Sequence, residues 1–146
     1  MNNIQINKVL YTDNTTSKIF RGTYPIDKLP TRVNYPSCFV INNQPSYKNG
    51  EHWVAVYFTK DKKGIFFDSF GKSPTFYKLD KFLRKNSNDL VYNNKQIQTL
   101  FSEYCGYYCL LFLLFISKNN NLTNFVKLFK KPYYNDKMIK NYLEKY

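Results

Sequence analysis

The sequence predicts an α+β fold, a small mixed sheet containing a hairpin and packed on one central buried helix. Residues 53–59 (WVAVYFT) and 65–70 (IFFDSF) are rich in β-branched and aromatic side chains, and the charged stretch 60–64 (KDKKG) between them reads as a turn with Gly at its end, so the two runs pair as a hairpin. Residues 104–116 form an apolar run of 13 residues. As a helix this run reaches about 20 Å, short of the ~30 Å of a hydrocarbon core, so it is expected to be buried in protein and not to cross a membrane. Strand-like segments come first and helical ones follow, which is the order of an α+β chain.

The elements follow in turn. The N-terminus opens on Met1-Asn2-Asn3, with no basic segment leading into an apolar one, so no secretory leader is expected. Residues 20–37 hold three Pro and one Gly and are expected to be irregular and to hug the surface. Residues 37–42 contain Cys38-Phe39-Val40-Ile41, a short buried strand. After the hairpin, Phe76, Leu79 and Leu83 recur at helical spacing and predict a helix over about 75–86. Leu90-Val91-Tyr92 reads as a short strand, and Ser102 as the N-cap of the apolar helix that runs to Ile116. Asn119-Asn120-Asn121 is a loop; Leu122, Phe125, Val126 and Phe129 mark an amphipathic helix stopped by Pro132; Met138, Ile139, Tyr142 and Leu143 lie on a last helix. The length suits a single domain over 1–146.

Composition excludes a disordered tail, with 43% hydrophobic and 19% aromatic residues. The net charge of +12 divides as +3 over 1–59, +5 over 60–85, −1 over 86–117 and +5 over 118–146. The neutral stretch is the one that holds the apolar helix, so the charge belongs to the periphery, where it favours polyanions. Crowding with Lys, Asn, Tyr, Phe and Ile is also what AT-rich coding produces, so the charge by itself marks a footprint and not a function. Three Cys in a chain without a leader do not make a disulfide framework; they read as buried thiols, one of them reactive.

The sole His, His52, stands at the start of the first hairpin strand, and Asp68 lies on the partner strand near the same end. A carboxylate there accepts from one imidazole nitrogen and leaves the other as a base, whereas an unpartnered charge in so apolar a stretch would be costly. Cys105 opens the apolar helix, where the dipole and unpaired N–H groups favour a thiolate. Gly106 beside it admits a close-lying substrate backbone. Cys109 and Cys38 have apolar neighbours and are expected to be inert. A zinc site made of the three Cys and one His is disfavoured, because Cys105 and Cys109 have C-x₃-C spacing on a helix and no second pair exists. An attacking thiolate also needs oxyanion donors, and both Gln96 and Gln98 lie in the segment leading to the helix; the residues alone do not choose between them.

In order, G-E-H-W-V-A-V (50–56), F-F-D-S-F-G (66–71), Gln98, and Cys105-Gly106 ahead of an apolar helix resemble the adenovirus protease (adenain) family, in the clan that includes the SUMO-deconjugating Ulp1-type proteases. The nearest flavour is that of Polinton/Maverick elements and virophages. The resemblance begins with Phe20-Arg21-Gly22-Thr23-Tyr24, continues through Cys38-Phe39-Val40-Ile41-Asn42, and covers most of 20–116. It implies an adenain/Ulp1-like fold in which His52 is the general base, Asp68 orients it and Cys105 is the nucleophile. Gln98, seven positions before the Cys, is then the oxyanion-hole side chain, and Trp53 and Gly106 border the substrate channel.

The implied activity is that of a cysteine endopeptidase cleaving viral or mobile-element structural precursors during capsid maturation, next to small residues and through an acyl-enzyme. The implied partners are those capsid precursors, with DNA as a non-specific one. The protein is then a monomer without a membrane partner, acting in the host cytoplasm, nucleus or viral factory and packaged in the virion, not secreted. No cofactor or metal is needed for the chemistry, and DNA or a peptide is the candidate activator. Two departures stand out: Asp68 replaces the Glu of the adenovirus enzyme, and residues 69–97 contain no Cys, so the disulfide-linked peptide activation of that enzyme does not carry over. The alternatives are a Ulp1-like deconjugating protease for a ubiquitin-like protein and a non-enzymatic, basic nucleic-acid-binding virion protein. The latter has no use for His, Asp, Gln and Cys in this order.

Overall fold

In the computed structural model, residues 1–44, 46, 47 and 52–145 are described. Strand patterning dictates the architecture. In β2 (Ser37–Asn42), Cys38 and Val40 point to one face while Phe39 and Ile41 point to the other. In β3 (Trp53–Phe58), Ala55 joins the first face and Val54, Val56 and Phe58 the second; in β4 (Lys63–Phe67), Ile65 and Phe67 oppose Phe66. Strands apolar on both faces must be covered on both, and they are. β1 (Phe20–Pro25) and β5 (Asp89–Tyr92) complete a five-stranded sheet in the order β1-β2-β3-β4-β5. The two outer pairings are parallel and the two inner ones antiparallel, so the sheet is mixed, as expected.

The larger core lies between the first face and the helices α1 (Asn3–Thr12), α3 (Cys105–Ile116), α4 (Leu122–Lys127) and α5 (Pro132–Lys145). α3 packs across β3. Phe67 stacks on Phe112 with ring centroids 4.9 Å apart, and Phe125 meets both edge-on. The second face is covered by a 3₁₀ turn (Pro74–Tyr77), by α2 (Asp80–Lys85), and by Tyr24, Ile26, Leu29, Val33 and Tyr35.

Several expectations are corrected. The segment 20–37 is not irregular throughout: residues 20–25 form β1, with a bulge at Gly22 (φ 112°). The N-terminal residues form α1, closed by a capping box between Asn2 and Gln5. The helix expected over 75–86 is two pieces, because Lys78 takes a left-handed conformation (φ 60°) between them. In the hairpin the left-handed residue is Lys62 (φ 64°), and Gly64 already belongs to β4. The strand expected to reach residue 70 stops at Phe67, and Pro132 opens α5 instead of closing the helix before it, a position where its missing N–H costs nothing. The N-cap of α3 is Tyr104 and not Ser102, whose hydroxyl turns back to the Thr99 carbonyl (3.5 Å). No helix among the described residues is long and apolar enough to cross a membrane.

Candidate active site

The antiparallel register brings the ends of β3 and β4 together. Ala55 stands opposite Phe67, so His52, just before β3, lies across from the turn that follows Phe67. The backbone of His52 is fixed by Asn43, whose N–H donates to the His52 carbonyl (3.0 Å) and whose side-chain oxygen accepts from the His52 N–H (3.2 Å). The imidazole stacks on Phe70 (centroids 4.2 Å apart, planes 13° apart), and its Nε2 lies 2.6 Å from Asp68 Oδ1.

Asp68 has no exposed surface, and a bare carboxylate there would be very costly. Its oxygens are instead saturated. Oδ1 also accepts from the Phe70 N–H (3.1 Å), while Oδ2 accepts from the Lys72 N–H (3.0 Å) and the Tyr77 hydroxyl (2.7 Å). Asn93, just past β5, holds the Asp68 backbone from both sides, accepting from its N–H (3.1 Å) and donating to its carbonyl (2.8 Å).

Cys105 is the first residue of α3, and the packing of α3 on β3 brings its thiol close enough to His52 for each group to shift the other's titration. Since Nε2 faces Asp68, the thiol is left Nδ1. Burial alone would pull the His52 pKa down, but hydrogen bonds and charge from Asp68 and Cys105 outweigh it and push the value up to about 9. Burial would likewise raise the Cys105 thiol; His52, together with the N–H groups of Trp53 and Gly106, overcomes this and holds it below the ordinary thiol value. Both shifts favour a thiolate–imidazolium pair. Burial acts unopposed on Cys109, far above its ordinary value, and drives Cys38 up to about 12. The three thiols are therefore chemically distinct, as their sequence contexts suggest.

The two Gln candidates separate by burial. Gln96 is exposed, whereas Gln98 has no exposed surface. Gln98 Oε1 accepts from the Ser69 hydroxyl (2.6 Å) and its Nε2 donates to the Ser102 carbonyl (2.9 Å), leaving one amide hydrogen for another acceptor. The Gln96 amide braces the Gln98 carbonyl (2.9 Å). Both Ile97 and Gln98 donate their N–H to the Ser69 carbonyl (2.8 and 3.0 Å), tying this segment to the Asp68 turn.

Gly71 explains why the two run so close. It sits at φ 75°, and a Cβ there would lie 2.8 Å from the Lys95 backbone. The final glycine of the 66–71 motif is thus a contact surface for the Gln98 segment. Tyr77, Asn93 and Ser69 were not singled out from the sequence. Ser69 lies inside the 66–71 motif, but Tyr77 and Asn93 join the site through folding of distant segments and carry no local signal.

Trp53 and Gly106, expected to border a substrate channel, both meet Met1. The space over Gly106 is taken by Met1, whose Cβ would lie 3.1 Å from an added Gly106 Cβ, and the Trp53 indole N–H donates to the Met1 carbonyl (3.3 Å). Gly106 thus admits a chain segment next to the residue that follows Cys105, and here that segment is the protein's own. A cavity of about 380 Å³ opens next to it, lined in part by Met1, Asn2, Thr23, Tyr24, Asn42 and Trp53. Gly50 and Glu51 of the His52 motif lie outside the described residues.

No family model and no curated protein matches the chain. Among solved structures, a crystal structure of the ASFV pS273R protease matches with a TM-score of 0.44 and 25% sequence identity, over 65% of this chain and 39% of that one. The chain thus corresponds to well under half of that structure, and a likeness this loose assigns neither family nor fold. The adenovirus-protease resemblance remains one of motifs.

Proposed function

We propose that the chain is a cysteine endopeptidase in which Cys105 is the nucleophile, His52 the general base, Asp68 the group that orients it and Gln98 an oxyanion donor. The observation that carries the reading is the His52 imidazole held between the buried Asp68 carboxylate and the Cys105 thiol at the start of a buried helix. The thiolate attacks the scissile carbonyl carbon, and the oxygen becomes an anion stabilised by the Cys105 N–H and the Gln98 amide. Protonated His52 gives its proton to the leaving amine as the C–N bond breaks, forming a thioester. Neutral His52 then takes a proton from water, whose oxygen attacks the thioester and releases the acid and the thiolate.

The substrates we infer, from the adenain-like motifs alone, are viral or mobile-element structural precursors cut beside small residues. Crowding by Met1, which meets Trp53 and the residue after Cys105, supports the size restriction. A mixed peptide library is the direct test, with cut sites read by mass spectrometry. Cleavage next to Gly or Ala that disappears in Cys105→Ala is expected. Cleavage that survives in Cys105→Ala, or cuts with no small-residue preference, contradicts the reading.

A further inference from the structure

We propose that Asn135 and Asp136, near the start of α5, are positioning residues that set Gln98 against Cys105; this rests on the oxyanion role given to Gln98. The segment 95–99 is irregular, with bends at Lys95 and Gln98. Its odd residues are each tied to the C-terminal helical layer. Lys95 Nζ donates to the Phe129 carbonyl (2.6 Å), the Ile97 carbonyl accepts from Asn135 Nδ2 (3.0 Å), and Thr99 donates its N–H and hydroxyl to Asp136 Oδ2 (3.0 and 2.7 Å). Gln98 lies between the last two anchors and turns the other way, to Ser69.

Both anchoring side chains are buried, Asn135 at 3% exposure and Asp136 at 8%. Asn135 is itself locked, accepting from the Lys130 N–H (2.8 Å) and donating to its carbonyl (3.0 Å). Asp136 does more than attach a helix. Its second oxygen, Oδ1, accepts from the Tyr108 hydroxyl (2.7 Å), and Tyr108 sits on α3 one turn after Cys105. One carboxylate therefore bridges the residue next to Gln98 and the helix that carries the nucleophile. It fixes the distance between the two groups that must meet one carbonyl, and a displacement near 1 Å there costs on the order of 10²-fold in rate. The fold could have attached α5 through apolar contacts alone. A carboxylate buried with three donors from these two segments is matched to holding their spacing.

The test uses two reactions of the same thiol. Acylation by p-nitrophenyl acetate passes through an oxyanion and needs no substrate recognition; alkylation by iodoacetamide forms no oxyanion. Gln98→Ala is expected to slow acylation by about 10²-fold, the typical cost of one oxyanion donor, and to leave alkylation within about twofold. Asp136→Asn is expected to slow acylation by about tenfold, again sparing alkylation. In the Gln98→Ala background Asp136→Asn should add less than about twofold, because no side chain is left to position. Tyr108→Phe, which removes a single bond, should follow the same pattern should Asp136→Asn not fold. If Gln98→Ala is costly but the second substitution adds its full effect, Asn135 and Asp136 only hold the fold together and the proposal falls alone. If Gln98→Ala leaves acylation unchanged, the oxyanion reading falls and takes the proposal with it.

Discussion

At the scale of single residues, the site turns on a carboxylate whose oxygens are satisfied without touching water. Asp68 achieves this with four donors for two oxygens, one of them the His52 ring. The pairing makes His52 basic, up to about 9, and this has two consequences with definite sign. A folded value above the unfolded one, about 6.5, means protonated His52 stabilises the fold fully below that pH, and the contribution fades as pH rises to about 9. The imidazolium is also needed to expel the amine, so peptide cleavage should fall on an alkaline limb near pH 9. Asp68→Asn should move that limb to lower pH and cut kcat while leaving KM nearly unchanged; a pH–rate profile of the variant checks this, and an unmoved limb would remove Asp68 from its role. His52, Asp68 and Cys105 were legible in the sequence because each is a polar or reactive group at the edge of an apolar run. Tyr77 and Asn93 were not, since a Tyr or Asn in a polar segment has no signature until folding sets it against Asp68.

At the scale of elements, Gly71 is where two segments meet closely enough to build the site. Gly71→Ala places a methyl within 3 Å of the Lys95–Gln96 backbone at a φ unfavourable for side chains, so the turn or the Gln98 segment must move. We expect destabilisation of about 1–3 kcal/mol by chemical denaturation. We also expect a loss of proteolysis larger than the fall in folded fraction, because the displaced segment carries Gln98. Activity that merely tracks the folded fraction would mean the contact only stabilises. β2, β3 and α3 were readable because their patterns are long or unbroken. β1 was hidden by Pro25 and by the bulge at Gly22, which break the period of two. α1 had its signal in plain letters: Asn2 and Gln5 at capping-box spacing, then Ile6 and Leu10 four apart and fully buried. The polar residues between them masked that stripe. The break at Lys78 had no signal, because Phe76, Leu79 and Leu83 keep helical spacing across it while Phe76 remains exposed.

For the whole molecule, the charge of +12 gains a structural setting. Among the described residues the one ion pair is His52 with Asp68, so no described Lys or Arg is in direct contact with a carboxylate. The Lys residues at 127, 130, 131, 137 and 140, on and beside α4 and α5, are all exposed, as are those of the β3–β4 turn. We propose that this surface takes duplex DNA without regard to sequence. Binding should then weaken steeply with salt, with a log–log slope of about −0.9 per phosphate neutralised. A shallow slope, with no effect of DNA on peptide cleavage, would leave the charge to coding bias.

The central claim is that His52 activates Cys105, and the pH dependence of iodoacetamide alkylation, read thiol by thiol by peptide mapping, tests it most directly. Cys105 should react first, with a midpoint below the roughly 8.5 of a free thiol, and His52→Ala should move that midpoint upward. Earlier modification of Cys38 or Cys109, or a Cys105 midpoint indifferent to His52→Ala, would contradict the account.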